Sequence, residues 1–598
     1  MPTWPWNWDW TWCKEPVASP SIRPIDPPDG LAALREINEP HPANPLVNPA
    51  DPNDKRRVLT RNDPVAYKAL GYGKKWYEKW AILTGVFVVQ LSMNFNAAAY
   101  GNAGEGMKEK FGVSQSQVKL GQMLFLVMYA FGCELWAPWS EELGRKYVMQ
   151  GSLLFVNAWQ VGCALAPNFA TILTCRALGG LSSAGGSVTL GIVSDLYEPE
   201  EQHYAVLYVV LSSVAGSVIG PIAGGFIQTY LTWYWVFWVQ LIFGLVAQAV
   251  HCGLVPETRE HCLLDEEAQR RRKAGEDPKI YGPNEIRGSF SKRTDFKQML
   301  ALMWRPYKLL ATEPVILFLC LLSGFSDALI FIGLDSFPLV LGQFNFTVIE
   351  IGLSFISLLA GYIIAYISFL VVYGYEGRQK KKGKQYTPER RLWWLLWLVP
   401  LEPIGLALFG YAAFGPPKVH WWVAMLGAAF IGIANFAIYM ATIDYMIAAY
   451  HPVAASATGG NGFCRDFLAG LAALFTGPFY KEIRPGTKWQ FSSPTFILCG
   501  IGTLLCVPVF VFYFFGEWFR NRSPYATQIE KEREEDREAR EHAIIESRKV
   551  TPKSTPAASR ASSPARAGRV DRGGRIMEMM RLRPKKEPID IGIEELEI

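Results

Sequence analysis

Residues 216–225 read GSVIGPIAGG and lie inside an uncharged, apolar stretch that runs from Tyr204 to Phe226. In a helix, the small residues of this stretch recur about every four positions and leave one face without side chains. They are Gly216, Gly220, Pro221, Gly224 and Gly225. Pro221 removes a backbone donor and bends the helix. In a membrane, this spacing lets a neighbouring helix approach closely, so the stretch predicts a specialised contact face or an ordinary packing groove.

The remainder of the chain contains further apolar windows of similar length. Half of the 598 residues are apolar and 19% are charged, and a membrane span needs about 20 consecutive apolar residues. Twelve windows qualify: 80–101, 120–139, 147–166, 170–193, 204–226, 232–254, 314–336, 351–373, 392–414, 420–444, 454–479 and 493–516. The sequence therefore predicts an all-α membrane protein with twelve transmembrane helices, called segments 1 to 12 below.

Lysine and arginine are distributed unevenly between the loops. With a cytosolic N-terminus, the cytosolic loops hold 21 of the 28 basic loop residues. Because an excess of Lys and Arg marks the cytosolic side, both termini are predicted to face the cytosol. The sequon Asn345-Phe346-Thr347 then lies in an exterior loop, which makes Asn345 a candidate glycosylation site.

The longest loop between two windows divides the twelve segments into two groups of six. Two six-helix halves joined by a long cytosolic loop form the architecture of a rocking carrier. Within this loop, LLDEEAQRRRK at 263–273 predicts an amphipathic helix on the cytosolic membrane face. The polar ends, residues 1–60 and 525–598, are predicted to be largely disordered tails. The predicted order is a cytosolic tail, a bundle, a cytosolic linker, a second bundle and a cytosolic tail: 1–79, 80–254, 255–313, 314–516 and 517–598.

Several function classes lack their residue patterns in this chain. The ten cysteines include no C-x-x-C pair and the seven histidines show no ligand spacing, so no metal site is predicted. No Gly-x-x-x-x-Gly-Lys loop is present to hold a nucleotide phosphate, which argues against an ATP-driven pump. No nucleophile and base stand in a catalytic arrangement. We therefore expect no enzyme activity, no cofactor and no nucleic acid partner.

The loop after segment 2 reads APWSEELGRK at 137–146. It resembles the loop 2–3 signature of the major facilitator superfamily, in which a glycine, an acid and a Gly-Arg-Lys/Arg run form a gate. Ala137 replaces the first glycine, whereas Glu141, Gly144, Arg145 and Lys146 occupy the later positions. The resemblance implies that these four residues form a gate.

Other stretches resemble the fungal drug:proton antiporter branch of that superfamily. They are the segment 5 motif, Pro-x-Ser-Glu-x-x-Gly-Arg at 138–145, Arg176-x-x-Gly179-Gly180, Pro256-Glu257-Thr258, and residues 438–450 and 456–470. The resemblance covers roughly residues 75–525 and implies a major facilitator fold with proton-coupled export. One departure is Leu207, which stands where a longer form of the antiporter motif has a glycine.

Physical reasoning also predicts a latch at the loop after segment 2. A carboxylate at Glu141 would be favoured at the start of segment 11, where the helix dipole attracts an anion. Arg145 and Lys146 would pair with the acidic run after segment 4, namely Asp195, Glu198, Glu200 and Glu201. The alternative is that the two bases only anchor the loop on the cytosolic side.

Ionisable side chains inside a bilayer are costly and are therefore candidates for function. Leaving histidines aside, the predicted spans contain Glu134, Arg176, Asp327, Asp335, Glu402, Asp444, Arg465 and Asp466. Asp327 shares a face of segment 7 with Ser323, Gly324 and Phe331, which suits a cavity wall. A carboxylate there would bind a proton, and a structural hydrogen bond is the alternative.

Three further interpretations follow from these positions. Arg176 can change the charge state of a carboxylate that approaches or leaves it, so we expect Arg176 to join Asp327 in proton coupling. Glu402 is the deepest acid, and either a coupling role or a structural, protonated role is open. Asp444 and Arg465 lie in the cytosolic third of their helices and are candidate gate residues, or they pair with each other.

The resemblance implies a central cavity lined by segments 1, 4, 7 and 10. The side chains predicted to bind substrate there are Asn94, Asn96, Tyr100, Phe331, Asn435 and Tyr439. Amides and aromatic rings together suit a broad, amphipathic substrate better than a small ion. Hydrogen bonds between helices are the alternative for each polar residue.

The sequence as a whole favours a plasma-membrane carrier that exports drug-like molecules or secondary metabolites in exchange for protons. Its expected partners are the lipid bilayer, a small-molecule substrate and protons, and we expect a monomer. The alternatives are an uptake symporter or facilitator for polyamine, sugar or siderophore, a transport-dead sensor, and a vacuolar location.

Overall fold

The computed structural model describes residues 57–60, 63–198, 201–287, 296–380, 382, 387–450 and 453–523. Apart from residues 57–60, the predicted disordered tails lie outside these residues, and so does Glu200. The described part of the chain is almost entirely helical.

The first half of the bundle contains segments 1 to 6. Segment 1 is Trp76–Ala99 and continues through a turn into the helix Gly104–Phe111. Segments 2 and 3 are Gln115–Leu143 and Arg145–Ala164. Segment 4 consists of the helices Phe169–Leu181 and Gly185–Leu196, and segments 5 and 6 are His203–Tyr230 and Trp235–Leu254.

The second half contains segments 7 to 12. Segment 7 is Pro314–Leu341, and segment 8 consists of Val348–Ser354 and Ile356–Lys380. Segment 9 is divided into Trp393–Leu398 and Leu401–Ala412. Segments 10, 11 and 12 are Trp422–Ala449, Ala454–Glu482 and Ser492–Arg520.

Ten of these segments are long and apolar enough to cross a membrane, counted within the described residues. Segments 3 and 11 are also long, at 20 and 29 residues, but they are more polar. Their packing explains how polar helices fit in the bundle: segment 11 lies against segments 2 and 7, and segment 3 lies against segments 4 and 6. The chain is thus a multi-pass helical membrane protein.

The linker forms a small structure with the residues that precede segment 1. Arg57–Val58 pairs in parallel with Ile280–Tyr281, and the helix Pro64–Ala69 follows. The linker itself contains the helices Glu260–Lys273, Pro283–Arg287 and Phe296–Thr312. We call the end of the bundle that carries this linker the linker end, and the opposite end the distal end.

The charged linker helix differs from the sequence prediction in what covers its apolar face. Leu264 and Ala268 pack against Leu59, Ala66 and Leu70. This part of the helix therefore contacts the chain's own N-terminal segment and does not face lipid. An ion pair closes the contact, because Arg271 donates to both oxygens of Asp63 at 3.1 Å.

Candidate functional site

The glycine motif of segment 5 packs against segment 1. A Cβ atom added at Gly216 would lie 2.6 Å from the Leu91 carbonyl oxygen, and one added at Gly220 would lie 2.9 Å from the Ala98 Cβ atom. At Gly224 the same atom would collide with the side chain of Asn102. The face without side chains is therefore occupied by the backbone and small residues of segment 1.

The distal end of this motif also contacts the other half of the bundle. A Cβ atom added at Gly225 would lie 3.1 Å from the Val348 carbonyl oxygen, and one at Gly352 would lie 3.0 Å from the Pro221 carbonyl oxygen. Segments 5 and 8 therefore approach each other closely at Pro221. The motif joins three helices, two of one half and one of the other.

The predicted gate at the linker end is a buried network. The Arg145 guanidinium donates to Asp195 at 3.0 Å and to the Ser140 hydroxyl at 2.6 Å. Gly144 has a φ of +98°, a conformation that is essentially confined to glycine in combination with its extended ψ of 150°. Arg145 thus contacts Asp195, which lies in the last turn of segment 4.

Glu257, to which the sequence analysis assigned no role, holds this network together. Its carboxylate accepts the backbone N–H groups of Arg145 at 2.9 Å and of Lys146 at 3.2 Å, the first two residues of segment 3. It also accepts the backbone N–H groups of Thr258 and Arg259. An anion at a helix N-terminus is stabilised by free N–H groups and by the helix dipole. The sequence signal that could have pointed to Glu257 was the Pro-Glu-Thr stretch at the end of segment 6.

The carboxylate at the start of segment 11 is not the one expected. A Cβ atom added at Gly459 would lie 2.6 Å from Oε1 of Glu134, which is 5% exposed. Glu141 instead contacts Arg259 through its carbonyl oxygen. Glu134 lies seven positions earlier on segment 2 and points into the bundle, so it reaches the other half at the linker end.

Asp444 and Arg465 do not pair with each other. Asp444 accepts from the Tyr373 hydroxyl at 3.0 Å and contacts the Arg391 guanidinium at 3.3 Å. Arg391 also approaches Glu376 at 3.8 Å. This second network ties segments 8 and 10 to the start of segment 9 and lies at the linker end of its half.

Arg465 instead forms a buried ion pair with Asp327. The two side chains meet at 2.6 Å, and each is 7% exposed. The Arg465 guanidinium also lies 3.4 Å from the centroid of the Tyr439 ring. The segment 7 face of Asp327 is not an open cavity wall in this structure, because a Cβ atom added at Gly324 would lie 2.7 Å from the Cys464 carbonyl oxygen of segment 11.

Glu402 is fully buried in segment 9. Both of its carboxyl oxygens lack a hydrogen bond of good geometry, and the Ser326 hydroxyl faces them. Ser326 accepts from the Asn435 amide at 3.2 Å. Glu402 therefore lies beside segments 7 and 10.

Arg176 is buried among neutral groups. Its Nη1 donates to the side-chain oxygen of Asn96 at 2.7 Å, and its Nε donates to the Gly121 carbonyl at 3.4 Å. The guanidinium lies 4.6 Å from the Tyr100 ring centroid and 4.0 Å from that of Phe125. In this conformation Arg176 contacts no carboxylate among the described residues.

The six predicted substrate-binding side chains do not line one open cavity. Asn94 and Tyr100 donate to backbone carbonyls, Asn96 binds Arg176, Asn435 binds Ser326, and Tyr439 lies under Arg465. Phe331 forms a contact between the halves with Ala97, Phe125, Leu126 and Ala469. The six residues therefore lie along the seam between the halves and inside each half.

Asn345 is exposed in the loop between segments 7 and 8 at the distal end. It ends a short helical turn with a φ of +59°. The Thr347 hydroxyl of the sequon caps segment 8 by accepting the Glu350 backbone N–H at 3.4 Å.

Two bundles that meet along a seam, with buried charges at both ends, define a multi-pass carrier. The chain belongs to the Major Facilitator Superfamily, whose family model matches residues 82–473. Among curated proteins it is 28% identical over 491 residues to the MFS-type transporter paaT of Penicillium rubens, covering 80% of this chain and 85% of that protein. It is 29% identical to the MFS-type efflux pump MFS2 of Trichophyton rubrum, and the match covers 86% of this chain and 84% of that protein. It is 33% identical to the MFS-type transporter phm3 of a Pyrenochaetopsis species, and the match covers 67% of this chain and 81% of that protein.

These comparisons place the chain in the fungal transporter and efflux-pump branch of the superfamily. It is a membrane transporter and not an enzyme.

Proposed function

We propose that this transporter exports amphipathic small molecules, drug-like compounds or secondary metabolites, in exchange for protons. The observation that carries the proposal is the buried Asp327–Arg465 ion pair. The segment 5 motif, which packs against segments 1 and 8, is a second support. Relatives described as efflux pumps support the direction. We place the protein in the plasma membrane as a monomer surrounded by lipid.

Proton coupling is assigned to Asp327. A buried ion pair is stable only while both members are charged, so a proton on Asp327 leaves Arg465 without its carboxylate. Because Arg465 also stacks on Tyr439 of segment 10, the loss of the pair changes the contacts among segments 7, 10 and 11. Proton binding to Asp327 would thereby change the helix packing of the second half, which must move during transport.

The gate is assigned to contacts at the two ends of the seam. At the linker end Glu134 of segment 2 lies against Gly459 of segment 11, and at the distal end Lys119 meets Asp335 at 2.5 Å. The Arg145 network keeps the linker end of the first half rigid while these contacts break in turn. Asn94, Asn435 and Tyr439 would face substrate when the halves part.

Glu402 is the second candidate for proton binding. Its carboxyl group is fully buried and faces Ser326, the sequence neighbour of Asp327. A proton on Glu402 would therefore act on the same segment. Arg176 would take part in coupling only if a conformational change brought a carboxylate to it.

The test uses the purified full-length chain in proteoliposomes with an imposed pH gradient and a panel of cationic, neutral and anionic fluorescent probes. Wild type should move at least one probe against the direction of proton flow. Asp327→Asn should reduce this gradient dependence by about tenfold or more, the effect of about 1.4 kcal/mol. Glu105→Gln is the matched control, because Glu105 is 66% exposed on the distal surface.

Two results would count against these assignments. Equal probe movement with and without the gradient in wild type would refute proton coupling. An unchanged pH profile in Asp327→Asn would make Asp327 structural, and Glu402→Gln would then be the variant to examine.

A further inference from the structure

Among the residues that the structure describes, Arg176 has no acidic partner, unlike other buried cations of the bundle. Arg145, Lys119 and Arg465 contact Asp195, Asp335 and Asp327. Arg176 is 1% exposed, and its partners are the neutral oxygens of Asn96 and Gly121. The titratable groups that act on it electrostatically are Cys163 and Tyr100, neither of which is a carboxylate. A buried charge without a counter-charge is unfavourable, so the surroundings of Arg176 favour the binding of an anion.

One edge of the guanidinium remains available to such an anion. Nη2 of Arg176 is buried and has no hydrogen-bond partner in the described part of the chain. The adjacent Nε makes only a long bond of 3.4 Å to the Gly121 carbonyl. Nη2 and Nε lie on the same side of the planar group, and this pair matches the two oxygens of a carboxylate.

The surroundings of this edge favour an aromatic or otherwise apolar acid. The rings of Tyr100 and Phe125 lie against the guanidinium at 4.6 and 4.0 Å. Phe125 also belongs to the contact between the halves that includes Phe331 and Ala469. Separation of the halves would expose the Phe125 side of Arg176 to the seam through which substrate passes.

We propose that Arg176 is an anion-binding subsite that takes the carboxylate of an amphipathic organic acid, with Tyr100 and Phe125 contacting its apolar part. This inference rests on the proposed transport function and specifies the substrate class. The competing explanation is that a carboxylate of the chain itself reaches Arg176 in another conformation, and the experiment separates the two.

The experiment measures equilibrium binding by calorimetry to the full-length chain in nanodiscs without any pH gradient. The probes are 2-naphthoate, 2-naphthamide and 2-naphthylmethylammonium, which share one ring system and differ in charge. Wild type should bind naphthoate about tenfold or more tightly than naphthamide. Arg176→Gln should reduce naphthoate binding to the level of the amide. Arg176→Lys keeps the charge without the fork and should retain part of the preference.

Lys108→Gln is the matched control, because it removes one positive charge from the distal surface, where Lys108 pairs with Glu105. It should leave the naphthoate preference unchanged. If Arg176→Gln does not fold, the preference of wild type for naphthoate over naphthamide and its change in Arg176→Lys still show whether Arg176 binds the carboxylate.

Four results would overturn the subsite: equal binding of acid and amide, tightest binding of the ammonium probe, no naphthoate binding by wild type, or an unchanged preference in Arg176→Gln. An internal carboxylate partner would give the first or third of these. Because the measurement needs no gradient, failure of proton coupling would leave the binding preference intact, and the two proposals can fail separately.

Discussion

At the scale of single residues, the linker end depends on a few side chains that each satisfy several partners. Glu257 accepts four backbone N–H groups, those of Arg145, Lys146, Thr258 and Arg259. The approach of this carboxylate to segment 3 requires that position 144 have no side chain. An added Cβ atom at Gly144 would collide with the Glu257 carboxylate.

We therefore expect Gly144→Ala to be destabilising for two reasons: an unfavourable backbone conformation, and displacement of Glu257. The conformation alone costs about 1–3 kcal/mol, and the loss of bonds to Glu257 adds to it. Gly151→Ala in the helix that follows is the control, because a Cβ atom there would meet nothing within 4 Å. Thermal unfolding of the two purified variants should separate them clearly, and equal stability would contradict the role of Glu257.

At the scale of whole elements, the packing of segment 5 revises the expectation for its glycine motif. The motif contacts segment 1 along most of its length, and only its distal part reaches segment 8. Any side chain on this face would push apart helices of the same half. The motif therefore serves helix packing in this conformation, and a role in antiport must be an additional property.

The variant Gly220→Ala tests that additional property with the smallest possible change. The added methyl group would lie 2.9 Å from the Ala98 Cβ atom, and overpacking of this kind typically costs about 1–3 kcal/mol. If close contact with segment 1 is needed during transport, the rate per folded molecule should fall. The control is Gly253→Ala on segment 6, where a Cβ atom would have open space. Unchanged transport per molecule would leave the motif with a packing role only.

The linker structure leads to a pH prediction at the same scale. Hydrogen bonds from Arg270 lower the pKa of Glu267, and those from Arg272 lower the pKa of Glu285. A carboxylate whose pKa is lowered in the folded state stabilises the fold above its unfolded pKa of about 4.3, and this contribution is lost as pH falls through the lower, folded pKa. The hydrogen-exchange protection factors of residues 57–60, 63–70 and 260–287 should therefore stay high from neutral pH to about pH 5 and fall below about pH 4. The variant Glu285→Gln should lose part of this dependence.

At the scale of the whole molecule, the sequence predicted an all-helical membrane protein, because apolar length is a local property of the chain, and ten of the twelve predicted spans are long and apolar enough among the described residues. It did not predict which acid pairs with Arg465. From the sequence, Asp327 and Asp444 are both possible partners of Arg465. Arg465 pairs with Asp327 because segment 11 packs against segment 7. Glu134, and not Glu141, contacts the start of segment 11. This contact also depends on helix packing, because neighbouring helices set the rotation and depth of segment 2.

The seam between the halves provides the last prediction, because one ion pair crosses it at the distal end. Lys119 of segment 2 and Asp335 of segment 7 meet at 2.5 Å and are largely buried. The loss of one partner leaves a buried charge unpaired, which typically costs about 3–5 kcal/mol. We expect Lys119→Asp and Asp335→Lys each to lower the unfolding temperature and transport. The double variant, which restores opposite charges across the seam, should recover much of both. A double variant no better than either single variant would show that this pair does not join the halves.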